Sequence, residues 1–253
     1  MTSTQQLDGA RAVVTGAAGG IGAAIARAFL DCGAKVLVAD LPGAAGFDSY
    51  TADVGRGAAR PIEADVTDDD APDRIVEAAA DVFGGIDILV NNAGVALPGT
   101  IEETTDALWR RVMSVNVDAM FRLTRAAVPY LKRSGRGRII NLGSIMSDMG
   151  GPGLFAYGAS KHAVAGMTKS LAVDLGRYGV TANYLQPGAV VTALSAPFFE
   201  DADFRRYWEE KAPVGRLGAP EDCAAAALFL ASAEAQFISG VGFNVDGGAI
   251  VKF

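Results

Sequence analysis

Histidine and cysteine are scarce in this chain: its 253 residues include one histidine, His162, and two cysteines, Cys32 and Cys223. Metal centres and disulfide frameworks need clusters of these residues at short, regular spacings. Neither cysteine has such a neighbour, so we predict no metal site and interpret both as buried free thiols in a reducing compartment. We interpret His162 as a surface or packing residue.

The chain also lacks an excess of positive charge. Lysine and arginine number 22 against 29 aspartates and glutamates, which gives a net charge of −7 and a pI of about 4.8. Nucleic-acid binding needs a basic footprint, so this balance argues against such a partner. No apolar run approaches the roughly 20 residues of a membrane span, and the N-terminus has no basic-then-apolar signal. We expect a cytoplasmic protein with no membrane partner.

What the chain does contain is a regular alternation of strands and helices. Short strands rich in apolar residues are predicted at 12–15, 35–39, 60–64, 86–90, 138–142, 180–185 and 241–245. Strands alternating with helical patterns form a parallel sheet with helices on both faces. No linker or compositional break divides the chain. The prediction is a single α/β domain over 1–253, a Rossmann-type doubly wound sheet of about seven strands.

Some stretches fit this alternation less well. Residues 42–59 show no helical stripe, so the helix that a parallel crossover needs is left unplaced there. Residues 104–133 carry one long helical pattern that Asn116 is expected to bend. Arg136 and Arg138 are interpreted as a solvated turn. The aromatic, proline-interrupted loop at 189–212 is expected to be either a lid over an apolar substrate or a packing surface against another subunit.

A glycine-rich turn follows the first strand and opens the first helix; it comprises Gly16, Gly20, Ile21 and Gly22. Glycines there allow a tight turn and let a pyrophosphate approach backbone N–H groups. Asp40 ends the next strand, 18 residues after Gly22, where a dinucleotide fold places an acid on the adenosine ribose. This carboxylate would repel a 2′-phosphate, and no Arg or Lys follows it directly. The predicted cofactor is therefore NAD rather than NADP.

Other candidate cofactor residues follow later strands. Asp65 is expected to bond the adenine amino group, with Val66 against the ring. Thr192 is expected to donate to the nicotinamide amide or to a phosphate. The remaining candidates form the cofactor wall and the loop beside it: Asn92, Ala93, Gly94, Pro187 and Gly188. The carboxyl ends of parallel strands share one edge, where open α/β sheets bind ligands, so we expect these residues to assemble one site.

The stretch from Ser144 to Lys161 carries the candidate chemistry. Tyr157 lies 13 residues after Ser144 and four before Lys161, and positions four apart share a helix face. An ammonium ~5 Å from the phenol, at an effective dielectric of ~20, would favour the phenolate by roughly 3 kcal/mol. We therefore expect Lys161 to lower the pKa of Tyr157 toward neutrality. Tyr157 then serves as the general acid/base, and Ser144 holds the reacting oxygen.

Together these features resemble the short-chain dehydrogenase/reductase family over nearly the whole chain. The resemblance rests on Thr15-Gly16-x-x-x-Gly20-Ile21-Gly22, Asp65, Asn91-Asn92-Ala93-Gly94, Asn116, Ser144, Tyr157-x-x-x-Lys161 and Pro187-Gly188. It implies a catalytic tetrad of Asn116, Ser144, Tyr157 and Lys161. In family terms Tyr157 exchanges the proton and Ser144 positions the substrate oxygen. Lys161 holds the nicotinamide ribose, and Asn116 keeps a water in a proton relay.

The resemblance also implies a reaction and an assembly. The expected reaction is reversible oxidation of a small secondary alcohol to a ketone with NAD; the sequence does not specify the substrate. An NADPH-linked 3-oxoacyl-thioester reductase and a nucleotide-binding sensor or scaffold are the alternatives. Family members are often homotetramers, and the apolar tail Ala249 to Phe253 fits burial at such an interface. Gly143 is a departure, since many members carry a second serine there, and it is expected to alter the substrate pocket.

Overall fold

The computed structural model describes residues 6–193 and 195–252. Two predictions fall partly outside this range. Leu194 of the predicted loop and Phe253 of the predicted interface tail lie outside the described residues.

The core is one parallel sheet of seven strands, as the strand–helix alternation predicted. In chain order the strands are Arg11–Thr15 (β1), Lys35–Asp40 (β2), Ala59–Glu63 (β3), Ile88–Asn91 (β4), Arg138–Leu142 (β5), Thr181–Pro187 (β6) and Gly242–Val245 (β7). Their spatial order is β3-β2-β1-β4-β5-β6-β7. Val13 of β1 pairs with Leu37 of β2 on one side and with Leu89 of β4 on the other. From β1 the strand order runs outward through β2 and β3 on one side, and from β4 it runs outward through β5 to β7 on the other. The order of the strands therefore reverses between β1 and β4.

Helices cover both faces of the sheet. They are Gly20–Asp31 (α1), Thr51–Gly55 (α2), Ala71–Phe83 (α3), Asp106–Met113 (α4), Ala119–Ser134 (α5), Phe155–Leu175 (α6), Ala202–Lys211 (α7) and Pro220–Ala231 (α8). On one face Phe29 of α1 and Leu230 of α8 are fully buried against the sheet. On the other face Ile75 of α3 and Leu131 of α5 are buried in the same way. Burial on both faces explains why the strands read as runs of apolar residues.

The long helical pattern predicted over 104–133 is an almost continuous helix with one irregular turn. A π-helical turn at Ser114–Asp118 joins α4 to α5, and Asn116 lies within it. Such turns insert an extra residue and are frequent at functional sites. At the position where the sequence predicted a bend, the structure therefore has a π-helical turn, in which the helical hydrogen bonding changes.

The segment left without a helix, 42–59, folds into a 3₁₀ helix at Ala45–Tyr50 followed by α2. It packs on the glycine turn: the Tyr50 hydroxyl, fully buried, donates to the Ala17 carbonyl at 2.7 Å. A β-carbon at Gly46 would lie 1.5 Å from the Ala18 carbonyl oxygen, so only glycine fits there. The segment shows no helical stripe because polar and single-residue contacts hold it: the Tyr50 ring, the close approach at Gly46 and the ion pair between Arg27 of α1 and the buried Asp53 at 2.6 Å.

The predicted loop at 189–212 is largely helical. A 3₁₀ helix at Ala196–Glu200 precedes α7, and the Asp201 side chain caps α7 by accepting from Asp203 and Phe204 N–H groups. An aspartate before a helical run is a recognised start signal, and the sequence interpretation overlooked it. The rings of Phe204 and Trp208 lie 6.4 Å apart. Whether this segment is a lid or an interface stays a prediction.

The interpretation of Arg138 as part of a solvated turn was wrong. Arg138 is the first residue of β5 and only 5% exposed. Its guanidinium donates to the carbonyl of Ser232, the C-cap residue that follows α8, at 3.3 and 3.4 Å. A cation at a helix C-terminus is stabilised by the exposed carbonyls, which explains how a charge is tolerated there. Burial nevertheless lowers the pKa of Arg138.

The strand predicted from residue 86 begins at Ile88 because Asp87 precedes it as a charged anchor. The Asp87 side chain is fully buried and accepts from the Arg11 backbone N–H and guanidinium at 2.6 to 2.9 Å. Arg136 contributes a further contact at 3.4 Å. Burial alone would raise the pKa of Asp87, but the hydrogen bonds from Arg11 outweigh it and hold the pKa below its usual value.

Among the residues that the structure describes, no helix combines the length and the apolar character that crossing a membrane requires.

We expect Asp87→Asn to lower the free energy of unfolding at pH 7 by about 3 kcal/mol, because it leaves Arg11 without its buried partner. Since the folded-state pKa is depressed, this stabilisation is present above the unfolded-state value of ~3.9 and is lost as pH falls through the folded pKa. Urea unfolding at pH 7 and at pH 3 should show the gap between wild type and variant narrowing. Asp174→Asn, an exposed site on α6, is the control. An equal gap at both pH values would contradict the assignment.

Candidate active site

The predicted site residues meet at the carboxyl edge of the sheet. The loops after β1 and β4 lie side by side where the strand order reverses, which is the usual binding crevice of open α/β sheets. The Asn92 side chain closes this point by donating to the carbonyls of Thr15 and Gly16 at 2.9 and 3.0 Å. The Thr15 hydroxyl accepts from the Asn92 and Ala93 N–H groups at 3.1 Å. Thr15 thus has a role at the site beyond its place in the glycine motif.

The spacing of the glycine turn follows from how closely its backbone folds on itself. A β-carbon at Gly22 would lie 2.1 Å from the Gly16 carbonyl oxygen, and one at Gly16 would lie 2.8 Å from Asn92 Nδ2. Gly16 and Gly20 also have positive φ angles of 63° and 54°. Any larger residue at Gly16 or Gly22 would therefore push the turn away from β4.

The start of α1 fits an anionic group. Within the described residues no side chain caps this helix end, and its first turn contains no acid. Ile21, in that first turn, lines a cavity of about 190 Å³ together with Ser144, Tyr157 and Lys161. Unpaired N–H groups and the helix dipole at such an end favour phosphate oxygens. The site therefore fits the diphosphate of a dinucleotide.

Asp40 is half-buried at the end of β2 and bonded to the glycine turn. One carboxylate oxygen accepts from the Ala18 N–H at 2.7 Å, and the other accepts from the Leu41 N–H at 2.8 Å. These bonds direct the carboxylate to the edge where the sequence predicted a ribose. Each oxygen retains a lone pair, so hydroxyl groups can still be accepted.

The predicted adenine residues lie beyond β3. One oxygen of Asp65 accepts from the Thr67 N–H and hydroxyl at 2.9 and 2.7 Å, and these bonds lower the pKa of Asp65. Val66 lines a small cavity with Asn91 and Ala93. Contact of Asp65 and Val66 with an adenine ring stays a prediction.

Ser144, Tyr157 and Lys161 come together as predicted. Tyr157 and Lys161 lie one turn apart on α6, and Ser144 is the second residue after β5. The Ser144 side chain lies close enough to the Tyr157 phenol to lower its pKa through hydrogen bonding. Lys161 Nζ lies 5.5 Å from the centre of the Tyr157 ring and donates to the Leu142 carbonyl at 2.6 Å. The three groups form one wall of the cavity of about 190 Å³.

The net lowering of the Tyr157 pKa that the sequence predicted is not found in the structure. Burial raises the pKa of the Tyr157 phenol, and the hydrogen bond with Ser144 offsets only part of that rise. Burial also lowers the pKa of Lys161 to about 8. Charge separation alone does not predict the net shift, because burial of the phenol is its largest cause. Ser144 acts against the effect of burial, because its hydrogen bonding favours the phenolate form of Tyr157.

Asn116 reaches the site through the π-helical turn and is 3% exposed. Its Oδ1 accepts from the Val95 N–H at 2.8 Å, and its Nδ2 donates to the Val95 carbonyl and to the Ser160 hydroxyl at 2.9 and 3.0 Å. Ser160 in turn donates to the Tyr157 carbonyl at 2.7 Å. Both Nδ2 hydrogens are therefore used in joining the loop after β4 to the catalytic helix. The proton relay through a water stays a prediction.

Ser160 is a site residue that sequence reasoning missed. It is fully buried and connects Asn116 to the backbone of Tyr157. Its position three residues after Tyr157, inside the Tyr-x-x-x-Lys motif, was the available signal, since helix positions three apart are neighbours.

The loop after β6 completes the cavity with Pro187, Gly188 and Thr192. The Thr192 hydroxyl lies 3.1 Å from the Ser195 hydroxyl and also accepts from the Ser195 N–H. Its donation to a nicotinamide amide or a phosphate stays a prediction. Thr192 also lies close to the glycine turn, because a β-carbon at Gly20 would be 3.4 Å from its side chain.

Gly143 lies in the cavity lining but is tightly enclosed on its other side. A β-carbon there would lie 2.8 Å from the Leu185 carbonyl oxygen and 2.9 Å from the Tyr184 ring. Gly143, which departs from the family pattern, therefore lies where β6 leaves no space for a larger side chain.

Comparison with known proteins agrees with this geometry. The family model described as enoyl-(acyl carrier protein) reductase matches residues 16–249. The chain is 42% identical over 248 residues to galactitol 2-dehydrogenase (L-tagatose-forming) of Cereibacter sphaeroides, covering 97% of each. It is 38% identical over 244 residues to the 3-oxoacyl-[acyl-carrier-protein] reductase FabG of Vibrio cholerae, covering 96% of this chain and 98% of that one. A gluconate 5-dehydrogenase from Burkholderia cenocepacia, solved with NADP and tartrate, superposes with a TM-score of 0.92 at 33% identity and 99% coverage of each chain.

The chain belongs to the short-chain dehydrogenase/reductase family. It is an oxidoreductase fold of the kind that binds a nicotinamide cofactor, with relatives that are dehydrogenases of secondary alcohols.

We expect Gly143→Ala to lower the free energy of unfolding by about 2 kcal/mol, because the added methyl group meets backbone and ring atoms that must move. Denaturant unfolding measures the change. Gly166→Ala on α6 is the control, since a β-carbon there meets nothing within 4 Å; it should leave stability equal or higher. A Gly143→Ala variant as stable as wild type would show that the packing at β6 is loose.

Proposed function

We propose that this protein is an NAD-dependent oxidoreductase that interconverts a small secondary alcohol and a ketone, with Tyr157 as general acid/base. The observation that carries the proposal is the shared cavity wall of Ser144, Tyr157 and Lys161 beside the uncapped start of α1. A phosphate-binding helix end and a proton-transferring group at one sheet edge suit hydride transfer to or from a dinucleotide.

The residues have separable roles in this proposal. When bound, NAD supplies the hydride-accepting ring, while the protein supplies orientation and charge. In its phenolate form, Tyr157 takes the hydroxyl proton of the alcohol and becomes a phenol. Ser144 holds the alcohol oxygen and stabilises the phenolate by hydrogen bonding. Lys161 is buried with a pKa of about 8, so near neutral pH it still carries the positive charge that favours proton loss from Tyr157. In alcohol oxidation, the raised pKa of Tyr157 makes the rate increase with pH.

The preference for NAD rests on Asp40. Its two oxygens are held by the Ala18 and Leu41 N–H groups at the edge proposed for the ribose. Glu63 lies nearby, accepting from the Gly43 N–H at 3.0 Å, and adds negative charge to this corner. A 2′-phosphate would meet both acids, so hydroxyl groups suit the site better than a phosphate.

A second candidate is an NADPH-linked 3-oxoacyl-thioester reductase. It is favoured by the 38% identity to the FabG reductase of Vibrio cholerae, and a structural neighbour carries NADP. Asp40 argues against it. The cofactor comparison below separates the two. A cytoplasmic location and a homotetrameric assembly belong to the proposal on the strength of the composition and the family resemblance.

We expect Tyr157→Phe to lower kcat by at least about a hundredfold, because no other group replaces the proton acceptor. The Kd for NAD should stay within about twofold of wild type. NADH formation with a panel of galactitol, gluconate and cyclohexanol measures turnover, and titration calorimetry measures binding. Tyr178→Phe, a partly exposed tyrosine after α6, is the matched control. Substantial turnover by Tyr157→Phe would remove the proposed role.

We expect wild type to have the higher kcat/KM with NAD, and Asp40→Asn to reduce the NAD-over-NADP ratio by about tenfold or more, since it removes a charge facing the 2′ position. Steady-state rates with each cofactor give the ratio. Asp48 is an exposed acid in the 3₁₀ helix that follows β2, and Asp48→Asn should leave the NAD-over-NADP ratio unchanged. A wild-type preference for NADP would overturn the NAD assignment and favour the second candidate.

A further inference from the structure

We propose that Gln186 and Asp148 form a positioning pair that holds the Ser144 turn in register with Tyr157. The proposal rests on the proposed function, because the role of Ser144 in proton transfer is part of it. Neither residue belongs to the predicted catalytic tetrad, and the two lie 38 positions apart in the sequence.

The Ser144 hydroxyl is part of a short 3₁₀ turn, Ile145–Ser147. Ser144 Oγ accepts from the Met146 N–H at 3.1 Å, and Ser147 Oγ accepts from the Ser144 N–H at 3.2 Å. The Asp148 N–H closes the turn on the Ile145 carbonyl at 3.2 Å. With its oxygen accepting from the backbone, the Ser144 hydroxyl has its hydrogen free to point toward Tyr157. The direction of that hydrogen bond therefore depends on the position of the whole turn.

Gln186 joins this turn to the sheet. It is 1% exposed, next to the end of β6, and its Nε2 donates to Asp148 Oδ2 at 2.7 Å. The same nitrogen reaches the Ser144 carbonyl at 3.5 Å. One buried amide thus contacts both ends of the turn from a rigid strand. A hydrogen bond to a charged carboxylate is shorter and stronger than one between neutral groups, so the Asp148 contact is the principal one.

The surrounding strands leave room for this amide. A β-carbon at Gly242 of β7 would lie 2.1 Å from Gln186 Oε1, so any other residue at 242 would displace the side chain. At Gly143 a β-carbon would lie 2.8 Å from Ser147 Oγ and would disturb the turn itself. Gly242 therefore leaves space for the Gln186 side chain, and Gly143 leaves space for the turn that Gln186 contacts.

Among the described residues, Gln186 is the one hydrogen-bonding partner found for the Asp148 side chain. Asp148 is exposed, and no ion pair to it is found in the part of the chain that the structure describes. The titratable groups around the turn are Tyr157 and Lys161 of α6 and Tyr184 of β6. Burial raises the pKa of Tyr184, and the charge on Asp148 adds to that rise. A carboxylate aimed at a buried neutral amide, rather than at a cation, fits a role in fixing geometry.

The test compares Gln186→Ala and Asp148→Ala with wild type, using the alcohol of the panel that wild type oxidises fastest. We expect kcat to fall by about tenfold or more in both, because misplacement of a catalytic group by a fraction of an ångström is costly. The KM for NAD should stay within about twofold. The acidic limb of the kcat/KM profile should move to higher pH, since the bond with Ser144 lowers the pKa of Tyr157.

Three further variants make the test specific. Asp148→Asn keeps an acceptor oxygen for the Gln186 amide and should recover most of the rate lost in Asp148→Ala. Gln186→Glu places a second carboxylate beside Asp148 and should be at least as impaired as Gln186→Ala. Asp81→Ala removes an exposed carboxylate of α3 and should behave as wild type.

A Ser144→Ala background separates positioning from general destabilisation. If the pair acts through Ser144, adding Gln186→Ala to Ser144→Ala should lower kcat by less than about twofold further. An equal loss in both backgrounds, or unchanged rates and pH profiles in the single variants, would overturn the proposal. If wild type itself oxidised no alcohol of the panel, the proposed function would fail first, so the two failures are distinguishable.

Discussion

The hydrogen bond from Lys161 Nζ to the Leu142 carbonyl, 2.6 Å long and buried, sets the geometry on which the site depends. It joins the middle of α6 to the end of β5, two residues before Ser144. Tyr157, one turn earlier on α6, is thereby brought to the Ser144 hydroxyl. An ammonium inside a protein needs such a carbonyl, because an unpaired buried charge is strongly unfavourable. The same contact therefore satisfies the charge and aligns helix with strand.

Burial at this site has two opposing consequences. Excluding water strengthens every hydrogen bond and charge interaction within the cavity. It also disfavours the charged forms of both Tyr157 and Lys161, raising the pKa of the first and lowering that of the second. A lysine alone does not make this tyrosine a base near neutral pH. Hydrogen bonding by Ser144 acts in the opposite direction to burial and lowers the pKa of Tyr157. The placement of the three-residue turn at Ile145–Ser147 therefore bears on the proposed role of Tyr157.

Much of the fold followed from local patterns. The glycine turn was predicted because the glycines lie directly between a strand and a helix. Asp40 and Asn92 were predicted as site residues because each lies at the carboxyl end of a strand. Arg138 shows the limit of such reasoning: a charged residue at a strand start looks solvated until the end of α8, distant in sequence, is seen to cover it. The segment at 42–59 was missed because Tyr50, Gly46 and Asp53 hold it rather than an apolar stripe. The helix α7 was missed because its start depends on the Asp201 cap.

The sequence by itself determined the alternation of strands and helices, the glycine turn and the candidate residues for proton exchange, because each depends on spacings of a few residues. Only the tertiary structure decided which of these groups are desolvated and which distant residues hold them. Ser160 and Gln186 are ordinary polar residues in the sequence, and they matter because folding places one against Asn116 and the other against Asp148. Burial and long-range hydrogen bonding are properties of the packed chain, so no local pattern could specify them.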